Sequence, residues 1–265
     1  MYYTSTNTED NKITYYFRGV VENNYVSFAS GTWRIVRINE DGSVRLIKQD
    51  SIGESNFNDD YEDNAYVGYM YGTPGSTTYE ATHANTNSST VKTMIDTWYQ
   101  NNLISYSSLI ADSGFCGDRS VANGSGYGRN NAQYGSYNRL GMDNQPQFKC
   151  PQSNDLYTTI TSTKGNKALT YPIGLITADE VSYAGAPPSG VNYKYYMYNG
   201  VRFWTMTPES YADRPRASVW RSYGSVYMQF VSESGSVRPV INLKSTVEIT
   251  SGDGTSSNPY VIKTN

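Results

Sequence analysis

Residues 203–243 constrain the fold more than any other part of the chain. They open with FWTMTP at residues 203–208 and close with VRPVINL at residues 237–243, and both segments read as core strands. Between them, apolar residues recur at every second position: Ala217 and Val219, then Val226, Met228 and Phe230. Such alternation is typical of strands with one buried face. The stretch therefore predicts an antiparallel meander in which these apolar residues point inward.

The positions between those apolar residues carry rings, hydroxyls and guanidinium groups. Rigid rings give contact area and small polar groups give adaptable hydrogen bonds, a combination typical of binding surfaces. We predict that this face binds a protein or a glycan ligand through the following side chains: Trp204, Tyr211, Asp213, Arg214, Arg216, Ser218, Trp220, Ser222, Tyr223, Tyr227 and Gln229. The alternative is an ordinary meander whose solvent-facing side happens to be aromatic.

Tyrosine is unusually frequent, with 26 residues against 7 phenylalanines. Its ring packs while its hydroxyl stays hydrated, which suits half-exposed surfaces. Recognition surfaces and extracellular scaffolds use many such residues, whereas enzyme pockets need few. The charge is nearly balanced, with 21 basic and 24 acidic residues. Because there is also no run of Lys or Arg, we predict no nucleic-acid partner.

The 265 residues suffice for one large domain or two small ones. Neither an internal repeat nor a change of composition marks a linker. We therefore predict a single domain over residues 13–265, preceded by a disordered or truncated lead-in at residues 1–12. No segment has the features of a signal peptide, and no apolar run is long enough to cross a bilayer. We expect no direct membrane insertion of this fragment.

The chain has two cysteines, Cys116 and Cys150. In an exported domain they would most simply form a disulfide. The bond would close a loop of about 35 residues and stabilise the fold by roughly 3.8 kcal/mol in the chain-entropy model. The alternative is two buried free thiols in a cytosolic protein. With the disulfide, we expect an extracellular or cell-surface location, and a fragment expressed without its export signal or anchor.

Local signals predict two hairpins and a long loop. The first hairpin pairs residues 32–38 with residues 43–48 about a turn at Gly42, which is free to adopt positive φ. The second pairs residues 247–250 with residues 259–262. Between the cysteines, residues 117–147 show little periodicity and are predicted to form a loop that the disulfide holds at both ends.

Three short helices are predicted. The first has its N-cap among residues 88–90 and carries one apolar stripe: Val91, Met94, Ile95 and Trp98. The second covers residues 107–112. The third begins with a capping box formed by Thr177 and Glu180 and ends at Gly185, which suits a left-handed conformation.

Residue types with catalytic chemistry are scarce. The one histidine, His83, lies among Thr and Asn in a segment that reads as a surface loop. It has the partners of neither a nucleophilic triad nor a zinc site. Asp59, Asp60, Glu62 and Asp63 offer oxygen ligands for calcium, but they lack the spacing of a calcium loop, and solvated charge is the preferred interpretation. We therefore predict no enzyme activity, no cofactor and no metal ion.

Five segments together resemble a group of exported bacterial surface and pilin-like proteins. They are residues 32–37 (TWRIVR), 115–119 (FCGDR), 171–180 (YPIGLITADE), 203–208 (FWTMTP) and 237–243 (VRPVINL). The pattern of the C-terminal positions is also similar to the C-type-lectin-like fold. Formylglycine-generating enzymes and the variable proteins of diversity-generating retroelements share that fold.

The resemblance implies an α+β, C-type-lectin-like mixed fold of antiparallel strands and hairpins, with two or three short helices and long loops. It also implies a C-terminal face that binds ligands. In retroelement targets such a face varies at adenine-rich codons, and these positions would suit that role: Tyr211, Asp213, Ser218, Ser222, Tyr223 and Tyr227. The enzyme branch uses a cysteine pair in its C-terminal part. Because no cysteine follows Cys150, oxidase activity is not expected.

Three functions stay open at this point. The first is a ligand-binding surface domain of the adhesin or receptor type. The second is a structural subunit of a pilus or surface layer, with the aromatic face packed on a neighbouring subunit. The third is an enzyme on the same fold, which would need a deep pocket lined by close carboxylates. The ligand, the oligomeric state and any gene diversification stay open as well.

Overall fold

The computed structural model describes residues 1–29, 31–211 and 216–264. The strands are β1 Tyr2–Thr4, β2 Thr14–Tyr16, β3 Tyr25–Phe28, β4 Gly31–Ile38, β5 Val44–Lys48, β6 Glu54–Asn56, β7 Met70–Tyr71, β8 Asn87–Ser88, β9 Phe115–Cys116, β10 Val121–Gly124, β11 Ala132–Tyr134, β12 Leu156–Tyr157, β13 Phe203–Tyr211, β14 Ala217–Ser222, β15 Val226–Phe230, β16 Ser234–Ser236, β17 Val240–Leu243, β18 Ile249–Ser251 and β19 Tyr260–Ile262. The helices are α1 Tyr79–Thr82, α2 Thr90–Asn102 and α3 Ala178–Ala184, with 3-10 turns at Asn64–Val67, Ile104–Leu109 and Ser153–Asp155 and a π-helical turn at Tyr137–Met142. The predicted α+β class is confirmed.

An eight-stranded sheet is built around the β4–β5 hairpin. β4 pairs with β3 along its first half and with β2 at its last residues. On the β3 side the sheet continues through β19 to β18. On the β2 side it continues to β1. β5 pairs antiparallel with β17. Both predicted hairpins are confirmed, and Gly42 adopts φ +81° in the turn of the first.

A seven-stranded sheet contains the late-chain strands. Its order is β10-β11-β13-β14-β15, and β16 and β6 are attached beside β13. β13, β14 and β15 pair antiparallel in succession, so the predicted meander is confirmed. After the meander the chain returns to β13, where Ser236 of β16 pairs in parallel with Phe203.

The predicted inward face of this meander is wrong. β14 and β15 pair with Trp220 opposite Met228 and with Arg221 opposite Tyr227. Because directly opposed residues point to the same face of a sheet, the apolar positions of β15 share the face of Trp220. Val219 lies on the other face, together with Arg221. The pairing register therefore divides the apolar set between two faces, and Met228 is 45% exposed.

Two predicted helices are confirmed with their caps. α2 begins after Ser89, whose hydroxyl accepts a hydrogen bond from the N–H of Lys92, and its apolar stripe packs on the core. α3 has both hydrogen bonds of the capping box between Thr177 and Glu180. It ends at Gly185 with φ +120°. These local signals are reliable because a cap satisfies backbone groups within a few residues.

Three other segments differ from their predictions. The lead-in contains β1, which pairs antiparallel with β2. The helix predicted at residues 107–112 is instead the 3-10 turn Ile104–Leu109. Residues 117–147 contain β10, β11 and the π-helical turn. β11 pairs with β13, which lies far along the chain, and local periodicity does not report such a contact.

The disulfide between Cys116 and Cys150 is confirmed, with a Cα–Cα distance of 5.5 Å. It ties β9 to the segment that precedes the Ser153–Asp155 turn. Within the described ranges, no helix is both long and apolar enough to cross a membrane.

Candidate binding site

Most of the predicted ligand-binding residues are buried. Those with less than a tenth of their surface exposed are Trp204, Tyr211, Ser218, Trp220, Ser222 and Gln229. All six residues of β14 are buried, so both of its faces are covered. The expectation that these side chains face water is therefore wrong. Their rings and hydroxyls are instead packed in the interior of the protein.

Four of these buried residues have their polar side-chain groups paired within the protein: Trp204, Ser218, Trp220 and Ser222. The Trp220 indole donates a 2.9 Å hydrogen bond to the hydroxyl of Ser136. The hydroxyl of Ser222 lies 2.7 Å from that of Tyr195. Because buried polar groups must be paired to offset their desolvation, a polar residue at an alternating position is not by itself evidence of a ligand. The structure uses these groups to join strands to neighbouring loops.

Three predicted residues keep exposed surface: Arg216, Tyr223 and Tyr227. The Arg216 guanidinium lies 5.2 Å from the ring centroid of Tyr61 and 5.4 Å from that of Phe230. Both distances suit a cation–π contact. The remaining two predicted residues, Asp213 and Arg214, lie outside the described residues.

Tyr223 belongs to a group of phenol rings at the turn between β14 and β15. Ring centroids are 5.0 Å apart for Tyr193 and Tyr198, 5.5 Å for Tyr198 and Tyr223, and 6.0 Å for Tyr193 and Tyr223. The Arg202 guanidinium lies 5.4 Å from the Tyr223 ring. Tyr193 is 52% exposed, Arg202 is exposed, and the other two rings are half-buried. We call Tyr193, Tyr198, Tyr223 and Arg202 the tyrosine face.

Backbone contacts fix the loop of the tyrosine face onto the sheet. The N–H of Asn192 donates a 2.7 Å hydrogen bond to the carbonyl of Gly224, and the N–H of Val226 donates one of 3.1 Å to the carbonyl of Pro187. Gly224 adopts φ +76°, and the Tyr193 ring lies 2.7 Å from where its Cβ would be. Glycine is thus required there twice, for its conformation and for the close approach of the ring.

The tyrosine face carries three phenol groups and one guanidinium. The neighbouring Tyr223 hydroxyl raises the pKa of Tyr198 to about 12. Tyr198 therefore stays protonated at physiological pH and offers an O–H donor and a ring. Arg202 adds a positively charged guanidinium. The site can recognise a ligand by ring contacts, hydrogen bonds and one exposed positive charge.

Sequence reasoning identified Tyr223 but missed Tyr193, Tyr198 and Arg202, which precede the meander. One signal was available, since four of the six residues 193–198 are tyrosines. That signal is ambiguous, because Tyr195 and Tyr196 from the same run are buried. Only the fold shows which rings of the run reach the surface.

A second polar cluster surrounds the carboxylate of Glu180. That carboxylate lies 2.7 Å from Arg45 Nε and 3.0 Å from Arg37 Nε. Burial alone would raise the pKa of Glu180, but the two arginines outweigh it and hold the pKa below its usual value. The adjoining cavity measures about 30 Å³, which is room for about one water molecule. The cluster is therefore an internal ion-pair network that is too confined for an organic ligand.

His83 is buried, contrary to the prediction of a surface loop. Its ring stacks on Tyr79 with a centroid distance of 4.0 Å, and its Nε2 lies 3.7 Å from the carboxylate of Asp155. Burial, assisted by the positive charge of Arg119, lowers the pKa of His83 to about 3. Asp155 is itself paired with Arg119 at 2.7 Å. This neutral histidine packs beside an ion pair, and it titrates far below the pH at which a general base works.

The acidic residues 59–63 divide between structural and solvated roles. The Asp63 carboxylate accepts hydrogen bonds from the N–H groups of Ala65 and Gly75 at 2.9 and 2.8 Å. Glu62 lies 3.7 Å from Arg129, and both side chains are largely exposed. Among the residues that the structure describes, no group of three or more His, Cys, Asp and Glu side chains could hold a metal ion.

Comparison with models of protein families, with curated proteins and with solved structures finds no match to this chain. The architecture and the tyrosine face therefore carry the functional argument.

Proposed function

We propose that this chain is a ligand-binding surface domain of the adhesin or receptor type, not an enzyme, and that it presents the tyrosine face to a protein or a glycan. One observation carries the proposal: three phenol rings and a guanidinium meet on the surface with ring centroids no more than 6.0 Å apart. Tyrosine and arginine are, with tryptophan, the residue types enriched where binding energy concentrates.

Rigidity of the scaffold supports the same proposal. The tyrosine face is attached to the sheet by the Asn192–Gly224 and Val226–Pro187 hydrogen bonds. Side chains held in place before binding lose less conformational entropy when the ligand arrives, so more of the contact energy appears as affinity. Tyrosine adds to this advantage, since it has few rotatable bonds for its contact area.

We propose in addition that the α+β arrangement is a C-type-lectin-like fold, on the strength of the resemblance in the pattern of the C-terminal positions. The disulfide supports an extracellular or cell-surface location, because such bonds persist in oxidising environments. In a retroelement target, variable codons would correspond here to Tyr223 and Tyr227, which are half-exposed. Ser218 and Ser222 are poor candidates, because substitutions there would disturb the core.

The test is an array of glycans and extracellular proteins probed with the wild-type chain and with Tyr193→Ala and Tyr223→Ala variants. Both variants are expected to lose the wild-type signals while retaining the thermal unfolding midpoint to within a few degrees. Tyr15→Ala is the matched control, since Tyr15 is 43% exposed on β2. Identical profiles for the wild type and the two tyrosine-face variants would remove this surface from the argument.

A structural subunit of a pilus or surface layer is the second candidate, and a different observation favours it. β1 pairs with β2, and no other described strand pairs with β1. Tyr2 and Tyr3 on this strand are 54% and 69% exposed. An open edge with exposed rings can add a strand from another copy. Sedimentation velocity should then show concentration-dependent assembly that Tyr3→Lys abolishes, and a monomer at all concentrations would eliminate this candidate.

A further inference from the structure

Arg221 lies in a row of side chains that crosses three strands beside the tyrosine face. The pairing register places it between Trp204 of β13 and Tyr227 of β15. Its guanidinium lies 5.4 Å from the Trp204 ring centroid. Arg221 is 7% exposed. Most of this arginine is thus removed from water, while its end of β14 leads directly into the turn that carries Tyr223.

Arg221 lacks the carboxylate partner that two other buried arginines have. Arg45 and Arg119 each lie 2.7 Å from a carboxylate. By contrast, no carboxylate of the described residues is within ion-pair distance of Arg221, and its buried Nε has no hydrogen-bond partner. The buried hydroxyl of Tyr227, directly opposite on β15, has none either. Leaving such groups unpaired costs free energy that a bound acceptor would recover.

The surroundings of Arg221 favour a negative ligand. Burial lowers the pKa of Arg221, and the charge of the nearby Arg202 lowers it further. Tyr227, Glu233 and Glu54 act in the opposite direction on this pKa. Both glutamates are exposed side chains, and neither forms an ion pair with Arg221. A carboxylate bound between Arg221 and Arg202 would offset their mutual repulsion and accept hydrogen bonds from both.

We propose that the ligand of the tyrosine face is an acidic peptide segment whose Asp or Glu carboxylate is bound by Arg221 and Arg202, with the Tyr227 hydroxyl as a further donor. This inference rests on the proposed binding function and names the ligand class of that site. Guanidinium groups match the planar geometry of a carboxylate. A peptide is favoured as the source because aromatic residues and arginine are the types enriched at protein–protein interfaces.

The experiment uses an array of peptides synthesised in matched pairs that differ only in Glu versus Gln, and a second array of uronic-acid and neutral oligosaccharides. The full chain is tested as wild type, Arg221→Gln, Arg202→Gln and Tyr193→Ala. Arg129→Gln is the matched control, since Arg129 is 74% exposed and pairs with Glu62. The unfolding midpoint of each variant is measured in parallel, so that loss of binding is separated from loss of fold.

The wild type is expected to bind the Glu member of a pair at least tenfold more tightly than the Gln member, since a desolvated charge pair is worth about tenfold or more in affinity. Arg221→Gln should abolish this preference at an unchanged midpoint. Arg202→Gln should reduce it a few-fold, with less effect at high salt, and Arg129→Gln should leave it intact.

Several results would overturn the inference. Equal binding to both members of the pairs contradicts the carboxylate site, and so does a preference for the Glu peptide that survives Arg221→Gln. In either case the proposed binding function still stands if Tyr193→Ala loses the ligand. A preference for acid confined to the uronic-acid array contradicts the peptide assignment. If no peptide and no oligosaccharide binds the wild type, the proposed function fails, and the inference fails with it.

Discussion

The indole N–H of Trp204 donates a 2.8 Å hydrogen bond to the backbone carbonyl of Ser55. This bond joins β13 to β6, two strands nearly 150 residues apart in the chain. Trp204 has no exposed surface, and its ring also packs edge-on against Phe57 at 5.8 Å. A residue that the sequence pattern assigns to ligand binding is therefore part of the core, and its amphipathic ring serves to join distant strands.

Replacing Trp204 should accordingly affect stability. Trp204→Phe keeps a ring but leaves the Ser55 carbonyl without its donor and opens a small cavity. We expect the free energy of unfolding to fall by about 2–4 kcal/mol, the combined effect of an unsatisfied buried acceptor and lost packing. Urea denaturation measures this change. Trp98→Phe on α2, where the side chain is only partly buried, should cost clearly less, and equal costs would contradict this assignment.

The turn at Gly224 should control the position of Tyr193. Gly224→Ala places a methyl group 2.7 Å from the Tyr193 ring and forces a non-glycine residue to φ +76°. Gly200→Ala is the matched control, with φ +84° and open space around the new Cβ. Both variants should lose about 1 kcal/mol from the backbone conformation. Only Gly224→Ala should also displace Tyr193 and weaken ligand binding, and equal binding by the two variants would show that the ring position is unimportant.

His83 should make stability depend on pH. Its pKa is about 3 in the folded protein against 6.5 for the unconstrained side chain. The unfolded chain therefore binds the extra proton between these values, so stability is complete above pH 6.5 and falls as the pH drops toward 3. At pH 5 the loss amounts to about 2 kcal/mol. Urea denaturation at pH 7 and pH 5 should show this loss in the wild type and its absence in His83→Asn, and the same pH dependence in both would exclude His83 as its cause.

The Glu180 network should contribute strongly to stability. Glu180→Gln keeps the shape of the side chain but leaves Arg37 and Arg45 without their shared carboxylate. Removing one partner of a buried ion pair costs about 3–5 kcal/mol. Glu248→Gln is the control, since Glu248 pairs with Lys263 on the surface, where screening makes such pairs weak. If the thermal unfolding midpoint falls equally in both variants, the prediction that the buried Glu180 pairs stabilise the fold more than the exposed Glu248 pair is wrong.

Local sequence signals correctly predicted much of the secondary structure. The turn at Gly42, the cap at Ser89 and the capping box of Thr177 are each satisfied by residues within a few positions, and all three are confirmed. The disulfide belongs with them, because only two cysteines were available. The binding surface could not be predicted from local signals in the same way. Alternation in β14 assigns residues to two faces but does not report what covers each face.

The amino-acid sequence by itself determined where the β4–β5 hairpin turns, where α2 and α3 begin and which thiols pair, because these outcomes depend on neighbouring residues or on a single available partner. Tertiary structure alone decided which tyrosines stay in contact with water. Exposure depends on segments far apart in the chain: α3 and the Asn64–Val67 turn pack against β14, while the loop before β13 brings Tyr193 and Tyr198 to Tyr223. Burial depends on how the whole chain packs, so a local pattern of rings and hydroxyls does not predict it.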